Sequence, residues 1–173
     1  RIDAATPSWE VDLEAPQLGF LDDHQIQGLV VFPGAGYIEM VMHAARSLCG
    51  GLDAVALSQV AFVKALHLTP EQPVTLRLSI EPGTHAFTIT SRVHADIGAA
   101  WQTHCTGQLR LSQGERSAPI DIEALQAQCP NEIARSVCYQ HFRALGLEYG
   151  ETFQGISRLW QGEARAIALL EVP

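Results

Sequence analysis

Of the seven histidines in the chain, His24 stands in a setting that could do chemistry. Gly28 follows four residues on and Pro33 five after that, directly ahead of Gly34-Ala35-Gly36 and a stretch that reads as a helix. The first turn of a helix carries unpaired N–H groups and the positive end of the macrodipole. Glycines there let a carbonyl oxygen come close to the backbone, and a thioester carbonyl at that spot would have its developing enolate charge stabilised. An imidazole near by could then remove the acidified proton α to the carbonyl. A reference pKa of about 6.5 suits such a base near neutrality. The same spacing fits a plainer role, in which Gly28 and Pro33-Gly34 only shape a turn into the helix and His24 caps a backbone group. Spacing alone leaves both open.

The other candidates have less to offer. His43 reads as a solvated helix residue, and His67, His85 and His94 fall in strands or turns without a partner pattern. His104 lies beside Cys105, and Cys138 stands three residues before His141. A structural zinc site needs four ligands, so no metal site is expected. Cys49, Cys105, Cys129 and Cys138 are far apart with no C-x-x-C pair, which suits reduced, mostly buried thiols in a cytoplasmic protein.

The elements that must position these groups come from a chain of 173 residues, 47% of them hydrophobic. A domain of that length buries about 70% of its unfolded surface and needs no staples. The net charge of −8 argues against nucleic acid or an anionic membrane as partner, because either requires a basic patch. No secretory h-region and no apolar run of about 18 residues occurs, so neither a signal peptide nor a membrane span is expected. Arg1 stands where a start Met would, so a segment of something longer is expected.

Ser8 to Leu13 alternates as a half-buried strand, Gly19 to Gly28 reads as a loop, and Leu29 to Phe32 is too short to assign. From Tyr37, apolar residues recur at three- and four-residue spacing through Met40, Val41, Ala44, Ala45 and Leu48, one face of a helix stopped by Gly50-Gly51. Val55 to Leu68, Val74 to Ile80, Ala86 to Ala95 and Trp101 to Leu111 then read as strands, the first with a kink in its middle. Ser112 to Pro119 is loop-like. Val137 to Leu145 forms a short helix ended by Gly146, and Phe153 to Trp160 with Ala164 to Val172 a new strand pair. The organisation expected is α+β: a sheet around one helix over residues 1–111, a linker over 112–136, and the start of a second layer over 137–173. That second layer should leave apolar strands and an unpaired edge open, an aggregation liability.

Residues 23–40, D-H-Q-I-Q-G-L-V-V-F-P-G-A-G-Y-I-E-M, resemble the H-x-x-x-G-x-x-x-x-P segment of polyketide synthase dehydratase domains and the PGAGY-x-EM helix that follows it. Residues 101–109 (WQTHCTGQL) are similar to that family's strand ending in H-x-x-G-x-L, and residues 146–154 (GLEYGETFQ) to its G-x-x-YGP-x-FQ segment. The resemblance covers essentially the whole chain. Glu151 departs from it, standing where the family has Pro, and a less rigid loop is expected there.

The resemblance implies a double hot-dog fold, each half a curved antiparallel sheet around a long helix. It implies a lyase that removes water from a β-hydroxyacyl thioester carried on an acyl carrier protein, giving an α,β-enoyl product. His24 maps to the family's base. Gly28, Pro33, Gly34, Tyr37, Tyr149 and Phe153 map to residues around the substrate. The family's second catalytic group is an Asp on a D-x-x-x-Q/H helix beyond the strands near Ala164. None of Asp12, Asp22, Asp23, Asp53, Asp96 or Asp121 has that context, so the acid is expected past Pro173, and activity from His24 alone is doubtful. No cofactor is implied beyond the carrier's phosphopantetheine. The partners implied are the carrier, neighbouring synthase domains and a second copy of the chain. Because carriers are acidic, docking should use a local basic spot such as Arg46, Arg77 or Arg110, aided by tethering. A product-template cyclase, an enoyl isomerase and a non-catalytic hot-dog module remain as alternatives.

Overall fold

The computed structural model describes residues 6–13, 16–49, 55–94, 98–111 and 118–172. In chain order its elements are β1 (Ser8–Asp12), β2 (His24–Ile26), β3 (Leu29–Val30), α1 (Gly34–Cys49), β4 (Val55–Phe62), β5 (Val74–Ile80), β6 (Ala86–Val93), β7 (Gln102–Leu111), α2 (Ile122–Ala127), β8 (Asn131–Ile133), α3 (Arg135–Ala144), β9 (Leu147–Tyr149), β10 (Ile156–Gln161) and β11 (Ala166–Leu170). They form two compact units. One comprises Arg1–Gly19 with Val31–Glu115, and the other Phe20–Val30 with Arg116–Pro173.

The first unit follows directly from period-two alternation. Leu76, Leu78 and Ile80 of β5 all turn to one face and are buried, as are Phe87 and Ile89 of β6. The antiparallel order is β1-β5-β6-β7-β4. Helix α1 presents Tyr37, Val41, Ala44 and Ala45 to the same core, the side the three- and four-residue spacing predicts, while Arg46 and His43 stay exposed. This is the sheet-on-helix arrangement expected for residues 1–111. The kink in the long apolar run lies at Gln59, which takes a positive φ of 53°, and the pairing of β4 with β7 shifts between Ser58 and Ala61. That run ends as a strand at Phe62 rather than Leu68, because the Val63 N–H turns to the His104 carbonyl at 2.7 Å. The helix stop at Gly50-Gly51 lies outside the described residues.

In the second unit, β10 pairs with β11 and β8, and β2 pairs with β3 and β9. Three expectations are corrected here. His24 does not sit in a loop: it opens β2, opposite Tyr149 of β9, after a 3-10 helix over Pro16–Asp23. Residues 20–30 therefore belong with the second unit, since backbone pairing draws them there. The linker assigned to 112–136 carries α2, whose N-cap Asp121 accepts the Ala124 N–H at 2.9 Å, and β8, in register with Leu159 to Gln161. Gln27-Gly28 is a two-residue turn between β2 and β3 with φ of 52° and 75°, the left-handed pair of a type I′ hairpin. Gly28 thus serves the turn. The strand expected from Phe153 begins at Ile156, and Leu169 and Leu170 of β11 are exposed as apolar strand residues.

Candidate active site

Register fixes His24. With its backbone paired to Tyr149, its ring lies 5.4 Å from the Tyr149 ring, nearly parallel at 28°, and 5.0 Å from the Phe153 ring, tilted by 57°. Phe20 stacks on Phe153 at 6.2 Å, and Phe142 meets Tyr149 edge-on at 5.9 Å. Each such pair contributes about 0.5–1.5 kcal/mol beyond area burial, so several together hold an imidazole that is itself only half-buried. Tyr149, Phe153, Phe142, Ile156 and Leu170 also line an apolar cavity of about 330 Å³.

Phe153 is aimed at His24 by a polar clasp. The Asp23 carboxylate accepts the Thr152 N–H at 3.0 Å and also the Thr152 hydroxyl, while the Asp23 carbonyl accepts the Gly150 N–H at 2.8 Å. These bonds close the 3-10 turn Glu151–Phe153. The approach requires glycine at position 150, since a β-carbon there would run into the Asp23 carboxyl. The hydrogen bonds from Thr152 hold Asp23 below the usual carboxylate range, so it stays ionised. The turn that lacks the family's proline, where a less rigid loop is expected, is held in this way by Asp23.

The structure brings together His24, Tyr149 and Phe153, with Gly28 on the same β2–β3 hairpin. Pro33, Gly34 and Tyr37 belong to the other unit. There Pro33 is buried and accepts the Gly36 N–H at 2.9 Å as α1 begins. Tyr37 is 3% exposed, its ring 4.7 Å from Phe32, and its hydroxyl has no hydrogen-bond partner among the described residues. Burial, and secondarily Cys105, push that phenol well above its ordinary pKa. Of the docking candidates, Arg77 is committed to Glu10 at 2.7 Å and to the Trp101 ring at 3.8 Å. His94, read without a partner pattern, meets Thr75 at 3.1 Å and Asp12 at 3.3 Å.

Sequence reasoning missed Asp23 and Thr152 as a clasp and Phe20 and Phe142 as ring partners. Asp23 and Thr152 both fall in stretches that carry the resemblance, which was the available signal. Their pairing spans 129 residues and has no local signature. Among the described residues, no helix is long and apolar enough to cross a membrane.

Comparison with known proteins gives a consistent picture. Residues 1–92 match the family described as polyketide synthase dehydratase domain, and residues 117–173 the one described as polyketide synthase dehydratase N-terminal domain. The polyketide synthase PksN of Bacillus subtilis (strain 168) is 35% identical over 165 residues, covering 89% of this chain and 3% of PksN. The dehydratase domain from the CurK module of the curacin polyketide synthase superposes with a TM-score of 0.85 at 27% identity, over 98% of this chain and 61% of that one. A trans-AT dehydratase domain from Brevibacillus brevis gives 0.83 at 26%, over 97% of this chain and 60% of that one. The chain therefore spans a small fraction of PksN and about three-fifths of the solved domains.

Proposed function

The chain belongs to the dehydratase domains of polyketide synthases, and from that premise we propose that it takes part in removing water from a β-hydroxyacyl thioester to leave an α,β-enoyl thioester. The observation that carries this reading is the His24 imidazole, set by strand register against Tyr149 and Phe153 beside an apolar cavity. His24 takes the proton α to the carbonyl. The electrons of that C–H bond form the new Cα=Cβ bond, and the C–O bond at the β-carbon breaks. The thioester oxygen gains charge as the proton leaves, and first-turn amides of α1 other than that of Gly36, which donates to Pro33, have the chemistry to meet it. Gly28, Pro33, Gly34, Tyr37, Tyr149 and Phe153 are assigned to the surroundings of the substrate.

Hydroxide is a poor leaving group and departs with a proton from an acid. Asp23 is a poor source of one, because its bonds to Thr152 favour the carboxylate, and Asp12 is similarly held by Thr75. The proposal places the donor outside these residues. It also assigns the domain to a cytoplasmic multienzyme, acting with neighbouring domains, a second copy of itself and an acyl carrier protein whose phosphopantetheine bears the substrate, with no cofactor of its own.

The test is incubation of the intact protein with a β-hydroxyacyl pantetheine thioester, followed by mass spectrometry. Water loss should fall by about 10²- to 10⁴-fold in His24→Ala, the usual contribution of a general base. Double-bond migration without water loss would favour the isomerase alternative. An unreactive wild type would leave a non-catalytic module.

A further inference from the structure

The geometry points to His104 as a positioning residue for the turn that leads into α1, a role that deepens the function proposed above and rests on it. His104 lies in β7 and is 2% exposed. Both ring nitrogens are used. Nδ1 is 2.9 Å from the Lys64 carbonyl oxygen, and Nε2 is 2.7 Å from Ser91 Oγ. A carbonyl can only accept, so Nδ1 carries a proton; burial disfavours a second, charged-state proton on Nε2, which therefore accepts from the Ser91 hydroxyl. The ring is therefore neutral and locked in one tautomer.

The His104 backbone reaches the same segment, since its carbonyl accepts the Val63 N–H at 2.7 Å. Ring and main chain of one residue thus pin residues 63 and 64, just past the end of β4. Residues on either side of that pinned pair support the start of α1. Before it, Phe62 lays its ring on Gly34: a β-carbon built there would stand 3.1 Å from Phe62 Cζ. After it, the Leu66 carbonyl accepts the Phe32 N–H at 2.9 Å, and His67 bridges Val31. Phe32-Pro33-Gly34 is thereby bracketed, and Tyr37, one turn into the helix, stacks its ring on His104 at 6.4 Å and 13°.

The sheet does not need these ring bonds. The ladders of β7 with β6 and β4 are made by backbone groups whatever the side chain at position 104. What the imidazole adds is a fixed point for segment 62–67 and, through it, for the first turn of α1. Displacing a group that meets developing charge by a fraction of an ångström lowers the rate of the chemical step more than substrate binding.

The test uses the full-length protein that carries this domain. His104→Asn keeps a donor near the position of Nδ1, for Lys64. His104→Gln reaches toward Ser91 instead, and His104→Phe keeps only a ring. Phe and Gln should lower kcat about 10- to 100-fold with KM within about twofold, and Asn should recover most of kcat. Amide hydrogen exchange, which needs no activity, should quicken at residues 32–37 and 62–67 in Phe and Gln while the core of β5 and β6 is unchanged. If His104→Phe does not fold, the Asn and Gln pair still decides. Asn no better than Gln, or exchange unchanged at 32–37, would overturn the role of His104. An inactive wild type whose variants still show the exchange pattern would overturn the proposed reaction and leave the positioning role standing.

Discussion

Unit 1 buries Leu76, Leu78, Phe87 and Ile89 to 1% exposure or less behind its five strands and α1, whereas the second unit, among the described residues, buries Leu21, Cys129 and Cys138 and leaves Val137, Leu145, Leu169 and Leu170 open. A core side chain in the first unit is held from every direction by close packing. One in the second is held by a few directional contacts: the Asp23 clasp on Thr152, the β2–β9 register and stacked rings. His24 sits in the second kind of environment. Its placement therefore depends on contacts worth about 1 kcal/mol each, and changes there should alter reactivity before they alter stability. Changes in the first unit should do the reverse.

The largest expected effect tests that contrast directly. Phe87→Ala empties a fully enclosed site and should cost about 3–5 kcal/mol in urea or guanidinium unfolding. Phe153→Ala removes ring pairs with Phe20, His24 and Tyr149, each worth about 0.5–1.5 kcal/mol, but leaves no enclosed cavity, so it should cost less than Phe87→Ala while reducing water loss from the thioester. Equal losses of stability in the two variants would end the distinction between the units.

A smaller effect sharpens it within the second unit. The methyl group of Gly150→Ala would meet the Asp23 carboxyl and must push the Thr152 clasp apart. Overpacking of this kind costs about 1–3 kcal/mol, since the β-carbon of Asp23 as well as its carboxyl stands in the way. The consequence of interest is at His24, whose ring loses the fixed Phe153 beside it. The NMR signals of its imidazole ring protons should shift in Gly150→Ala while the methyl signals of Leu76 and Ile89 stay put. Movement of those core signals instead would show that the clasp supports more than the site.

The same division governs what could be read from the residues alone. The strands β5, β6 and β7 and the helix α1 were legible because long period-two or three-and-four patterns record one buried face. The strands β2, β8 and β9 were not. Each is three residues long, too short to show a period, and β2 finds its partner β9 more than a hundred residues away. Residue patterning therefore puts His24 in a loop, though the longer stretch around it carries the resemblance that makes it the candidate base. His104 was visible only as a neighbour of Cys105, because its partners Ser91 and Lys64 come from two other segments. The supposed linker hid α2 and β8 for a related reason: among the described residues, α2 buries no side chain, so it has no apolar stripe to announce it.

The smallest expected effect concerns pH and separates the units again. Burial holds the His104 imidazole below its ordinary value of 6.5; the Lys64 carbonyl opposes this and the Lys64 charge adds to it. As pH falls below about 6.5, the unfolded chain takes up the proton before the folded one does, so stability in the first unit falls with pH over the window below 6.5. Asp23 behaves differently. Thr152 holds its carboxyl below 3.8, so its contribution is complete above that value and fades only as pH drops through the lower, folded-state value. Mild acid should thus weaken the first unit while the clasp beside His24 is intact. Urea midpoints compared at about pH 7.5 and about pH 5.5 should show a drop that is smaller in His104→Asn, which removes the buried imidazole. In hydrogen exchange the acid-induced opening should begin at the amides of β6 and β7. Opening that begins at β2 and β9 would mean that the polar clasp, not the packed core, is the part of the molecule sensitive to mild acid.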